Sequence, residues 1–204
     1  MSVIPEYGVG ILALTAGSMV ALPPILDVTL STIVPAVDEA AREEAGRTYA
    51  RKFQSGCDRK NGTRFGAVIK QDQDSFLLDS ITGGNDTDQK TALTDIWGYT
   101  IGQYIGTVGK TVRMFPTDLT EDATMDGRAV TREVWRLWPD LHLVPDSDLP
   151  GIGLMARDCM TWSIVDWVHY GGEPLDRVMI YRGPRGEAMG LEIPFLRSGI
   201  LRAT

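Results

Sequence analysis

Cysteine and histidine are scarce in this chain, with two of each in 204 residues. Cys57 and Cys159 permit one disulfide at most, which excludes a disulfide framework and fits a reducing compartment or a redox-indifferent chain. His142 and His169 are too few for a histidine-rich metal site. Neither a CxxC pair nor an HExxH helix is present, which argues against structural zinc and the common metalloprotease chemistry. A basic excess is missing as well. Lys and Arg number 20 against 27 Asp and Glu, a net charge of −7, so no nucleic-acid partner is expected despite the local cluster Arg51, Lys52, Arg59, Lys60 and Arg64. There is no GxGxxG or Walker-type phosphate loop and no GxSxG elbow.

Charge itself nearly vanishes from Tyr7 to Val37, where Asp27 stands alone. So apolar a stretch must be covered by the chain's own core, by a neighbouring molecule or by a membrane. The first seven residues hold only Glu6 as a charged side chain, unlike a secretory signal. Gly8–Leu22 gives fifteen residues before Pro23-Pro24, short of the roughly 20 a spanning helix needs. Spanning is therefore not expected, and membrane insertion of a short arm is a lesser alternative.

What is there reads as α+β: a mixed, mainly antiparallel sheet with three to four helices and an extended apolar N-terminal arm. Residues 1–35 form the arm and 36–204 a single domain. Val28–Val34 is β-branched and reads as a strand. Pro35 suits a helix first turn, and Val37, Ala41, Ala45, Tyr49 and Phe53 make an i+4 stripe over a helix at 36–54 ended by Gly56. Thr63–Lys70 and Ser75–Ile81 read as a hairpin. Thr91–Gly109 reads as a helix capped by Asp88 or Thr91, with Gly98, Gly102 and Gly106 on one face. Lys110–Phe115 is a strand expected to stop at Pro116. Residues 127–138 read as a helix through Val130, Val134, Leu137 and Trp138, and a further helix covers 154–170. Arg177–Arg182 and Glu187–Leu196 close the chain as a hairpin around Gly183-Pro184-Arg185-Gly186.

Two constellations could carry chemistry. Asp122, Thr124, Asp126 and Glu133 fall at positions 1, 3, 5 and 12 of a calcium loop, with Gly127 at the turn position. The same Asp126 would also serve as a helix N-cap. Cys159 follows Arg157-Asp158 at a helix start, where the helix dipole lowers a thiol's pKa. The window Asp158-Cys159-Met160-Thr161-Trp162-Ser163 through Gly171 resembles the nucleophile helix of NlpC/P60-type cysteine peptidases. That resemblance implies a hydrolase with Cys159 as nucleophile and His142 as the available base. A small buried core residue is the competing reading of Cys159.

With no cofactor implied, the expected function is a non-enzymatic structural subunit of a repeating assembly. A bacteriophage virion or tail component is the specific expectation, with the cysteine hydrolase as the alternative. Such a subunit would be made in the cytoplasm, reside in the virion, and contact copies of itself and neighbouring assembly proteins.

Overall fold

The computed structural model describes residues 2–14, 16, 19–56, 64–73, 75–84, 87–105, 107–142 and 166–204. The chain divides into two units, Met1–Arg47 and Thr48–Thr204.

In the first unit, β1 (Ser2–Ile4) and β2 (Val9–Ile11) pair antiparallel, with Val3 opposite Gly10. A 3-10 turn at Pro5–Tyr7 joins them and is closed by Gly8 at φ 63°, a left-handed conformation glycine adopts without strain. Helix α1 then runs from Leu22 to Tyr49, its last two residues belonging to the second unit. Pro23 and Pro24 stand in its first turn, where the missing amide hydrogens have no intrahelical partner to lose. Pro35 lies inside the helix rather than at its start, and the strand expected at Val28–Val34 is helical. Tyr7 donates from its hydroxyl to Asp38 Oδ1 at 2.7 Å, and this bond, ahead of the Arg42 charge, holds the Asp38 carboxyl below its usual range. By length and composition, Met19–Tyr49 is apolar enough to cross a membrane, with a mean hydropathy of 1.7 in its most apolar window.

The second unit is an eight-stranded closed antiparallel barrel. Its strands are β3 (Lys52–Gln54), β4 (Gly66–Gln71), β5 (Phe76–Thr82), β6 (Thr107–Met125), β7 (Arg128–His142), β10 (Arg177–Arg182), β11 (Ala188–Glu192) and β12 (Leu201–Ala203). Each pairs with the next in chain order, and β12 returns to β3 through Ala203 opposite Phe53. A two-residue pair, β8 (His169–Tyr170) and β9 (Glu173–Pro174), precedes β10.

Eight strands enclose an interior that side chains can fill, and they do. Phe53, Leu78, Ile81, Val112, Leu137, Val178, Ile180, Leu191 and Leu201 are fully buried there. Between β5 and β6 the chain forms α2 (Gln89–Tyr99) and the single turn α3 (Gly102–Ile105). The Asp88 carboxylate caps α2, accepting from the Lys90 and Thr91 amides at 3.0 and 3.2 Å. Leu93 and Trp97, one turn apart, and Ile101 turn into the barrel's core. A smaller core of Met125, Val130 and Tyr181 gathers on the outer side of β10, opposite Ile180.

The α+β expectation with three to four helices is therefore corrected: the fold is dominated by an antiparallel barrel. The helix expected at 127–138 is β7, with Trp135, Leu137 and Pro139 buried at a period of two. The helix at 36–54 ends at Tyr49, and Lys52–Gln54 is strand. β6 continues through Pro116 to Met125. Gly98 and Gly102 belong to different helices, so no continuous three-glycine face forms; Gly106 is outside the described residues. Both expected hairpins form, the last strand ending before Pro194, which opens a 3-10 turn.

Candidate functional site

The calcium-loop residues lie on a β-hairpin instead of between two helices. Asp122 sits opposite Thr131 and Thr124 opposite Ala129, while Asp126 and Gly127 form the turn at φ 53° and 74°. Asp126 is engaged by Arg202 and Glu133 by three other donors. Among the described residues no three His, Cys, Asp or Glu side chains are placed to hold a metal ion. Of the hydrolase pair, Cys159 lies outside the described residues, as does Cys57. The backbone of His142 ends β7 opposite Thr107. The helix expected to reach residue 170 does not: Asp166 has φ 63° and His169–Tyr170 are strand.

Glu133 instead anchors a polar cluster inside one end of the barrel. Cross-strand partners share a face, and Glu133 pairs with the fully buried Ile180, so its side chain points inward. Its carboxylate accepts from Arg182 Nη1 at 2.7 Å, the Tyr49 hydroxyl at 3.0 Å and Trp135 Nε1 at 3.2 Å. The Tyr49 ring packs on Trp135 at 4.9 Å and Phe76 at 5.5 Å, with the Arg182 guanidinium 5.9 Å from its centroid. Burial, then the Glu133 charge, push the Tyr49 hydroxyl up to about 12. Three donors thus hold the Glu133 carboxylate, one on Oε1 and two on Oε2.

Open space lies elsewhere, along α2. A cleft of about 660 Å³ runs between α2, α3 and the start of β6, lined by Thr94, Asp95, Tyr99, Gln103 and Lys110 among others. A second, of about 270 Å³, shares Thr94 and Lys110 and reaches Lys90 and Asp79 on β5. A third, of about 470 Å³, shares Tyr99 and Gln103 and is bounded by Trp167 and His169. The helix expected over Thr91–Gly109 draws attention to its glycine spacing and not to Tyr99, which lies on the same helix. The available signal was Tyr99 falling outside the apolar Leu93/Trp97 stripe.

Residues 41–204 match the family described as "Beta-lactamase-like-like, C-terminal domain". A "Beta-lactamase-like protein" from Arthroderma benhamiae is 32% identical over 214 residues, which cover 99% of this chain and 35% of that protein. The chain thus spans little more than a third of that relative's length. No solved structure matches it. These matches overturn the expectation of a bacteriophage virion or tail component, the virion location that went with it, and the NlpC/P60-like alternative, since the likeness is to a fungal protein of a different family over nearly the whole chain. On the strength of the match over 41–204, this chain belongs to the family of β-lactamase-like C-terminal domains.

Proposed function

We propose that this chain is the C-terminal part of a β-lactamase-like hydrolase, in which residues 1–40 pack into a β-lactamase-like domain and the barrel is an accessory domain carried behind it. The observation that supports this reading is the uncovered first unit. No residue of α1 is buried, and Leu14, Val20 and Val28 are 86%, 81% and 65% exposed. From Leu22 to Val37 the helix carries a single charge, Asp27, and so apolar a stretch belongs in the middle of a larger core or in a membrane. A lone two-stranded ribbon such as β1–β2 is not stable by itself either. The Arthroderma protein aligns through this stretch, while the C-terminal family begins only at residue 41. In that relative, the counterpart of residues 1–40 therefore lies ahead of the stretch that corresponds to the C-terminal domain.

The test replaces the aligned third of the Arthroderma protein with this chain and follows amide hydrogen exchange. In the fusion, amides of residues 22–37 should exchange at least tenfold more slowly than in the isolated chain, which should self-associate through the same residues. Hydrolysis of p-nitrophenyl acetate by the fusion reports whether the joined domain is active. Unchanged exchange in a folded, active fusion would overturn the reading. So would protection that arises only when the isolated chain is mixed with phospholipid vesicles.

A further inference from the structure

We infer that Asn61 and Asn85 are acceptors for N-linked glycans, carried on two connections that leave the barrel side by side. The chain holds two asparagines, and each is followed two residues later by threonine, in Asn61-Gly62-Thr63 and Asn85-Asp86-Thr87. Neither middle residue is proline, so both triplets satisfy the Asn-x-Ser/Thr acceptor pattern. Serine and threonine make up about an eighth of the chain, so chance would place one of them behind both asparagines roughly once in sixty such sequences. A preference for turns accounts for asparagine next to glycine or aspartate, but it asks for no threonine two residues on.

The described residues around the two triplets place both connections. Gln54, which ends β3, pairs with Gly66 at the start of β4, and Gly66 pairs with Thr82 at the end of β5. The β3–β4 and β5–α2 connections, which contain Asn61 and Asn85, therefore leave the barrel at the same rim. Their flanks reach water: Gly56 and Arg64 are exposed around the first triplet, and Thr87 and Asp88 are exposed at the end of the second. A glycan is bulky and hydrated and must stay outside the fold, which exposed flanks permit. Two such chains on one rim keep it clear of protein contacts. In the transfer, the asparagine side-chain nitrogen attacks the anomeric carbon of an oligosaccharide carried on a lipid pyrophosphate. The carbon–nitrogen bond forms, the bond from that carbon to the pyrophosphate oxygen breaks, and the amide gives up one proton as the lipid pyrophosphate leaves. That donor is held in the lumen of the eukaryotic secretory pathway, and the relative that aligns over 99% of this chain is fungal. The inference thus routes this protein through that lumen.

The experiment isolates the protein from its native source, digests it with chymotrypsin and treats the peptides with peptide-N-glycosidase F in heavy-oxygen water. The glycosidase turns each glycosylated asparagine into a heavy-oxygen-labelled aspartate, read by mass spectrometry in the peptides spanning residues 54–65 and 79–93. A parallel digest without the glycosidase corrects for spontaneous deamidation, to which Asn61-Gly62 is prone. Both asparagines should be labelled. Recovery of either peptide with its asparagine wholly unmodified would overturn the inference. In the same host, Asn85→Gln and Thr63→Ala should each remove one of two glycan steps from the protein's gel mobility, while Thr63→Ser should keep its step. Unchanged mobility of Thr63→Ala would overturn the inference as well. Both triplets belong to the barrel unit, so this result does not depend on what covers residues 1–40.

Discussion

Truncating Glu133 to alanine removes an acceptor from three donors at once: the Arg182 guanidinium, which keeps the Gly186 carbonyl and the Tyr49 hydroxyl, the Tyr49 hydroxyl and the Trp135 indole. The Glu133 side chain is 13% exposed and that of Arg182 36%, so the loss falls between an exposed and a buried ion pair. About 2–3 kcal/mol is expected, lowering the thermal midpoint by roughly 5–10 °C at this chain length. Glu133→Gln keeps an acceptor and should recover part of it; a calorimetric midpoint within 2 °C of the parent for Glu133→Ala would show the cluster to be idle. Tyr49 adds a pH signature. Its hydroxyl is pushed up to about 12 in the folded chain, above the ordinary value near 10 in the unfolded one. The folded state therefore holds that proton more tightly. Stability from this group is complete below about pH 10 and declines as pH rises toward 12, because the unfolded chain ionises first. Tyr49→Phe removes two hydrogen bonds, the one donated to Glu133 and the one accepted from Arg182 at 3.3 Å, and should lose about 1–2 kcal/mol at neutral pH. Urea unfolding at pH 9 and 11.5 should show a smaller alkaline loss for Tyr49→Phe than for the parent.

Among the elements, the β6–β7 hairpin depends on its turn. Asp126 and Gly127 both have positive φ, the two-residue turn whose twist suits flanking strands. A Cβ at Gly127 would meet no neighbour within 4 Å, so the main cost of a larger residue is that of the backbone conformation. Gly127→Val should destabilise by about 1–2 kcal/mol. Asp126→Asn, which keeps the turn preference and removes only an exposed pairing with Arg202, should change little. Denaturant midpoints compare the two, and equal effects would refute the turn argument. The same hairpin shows where sequence reading stops. Val130, Val134, Leu137 and Trp138 satisfy a helical spacing, while Trp135, Leu137 and Pro139 satisfy alternation, and the apolar pattern alone fits both. Composition favoured the strand, since Val130, Thr131, Val134 and Trp135 are β-formers. In α1 the error ran the other way, because β-branched Val28–Val34 is helical despite its propensity. Hairpins β4–β5 and β10–β11 were legible because polar or glycine-proline turns separate two apolar runs. The Glu133 cluster was not, as Tyr49, Glu133 and Arg182 are 84 and 49 residues apart and only barrel closure brings them together.

At the scale of the whole molecule, the barrel unit holds the large buried core and the first unit holds almost none. The chain shortened to residues 41–204 keeps Tyr49 and every barrel strand. It should unfold cooperatively at the parent's midpoint and run as a monomer by size-exclusion chromatography with light scattering. An aggregating or unfolded product would mean that the barrel needs the preceding segment.

The barrel's last seam joins Ala203 to Phe53, with the Thr204 amide donating to the Lys52 carbonyl at 2.9 Å. The staves it unites are separated by about 150 residues, which ribosomes take roughly 8–30 s to polymerise. Throughout that interval the nascent sheet is an open fan with two sticky margins. Chaperone occupancy should therefore be highest before the final stave clears the exit tunnel and fall once it has.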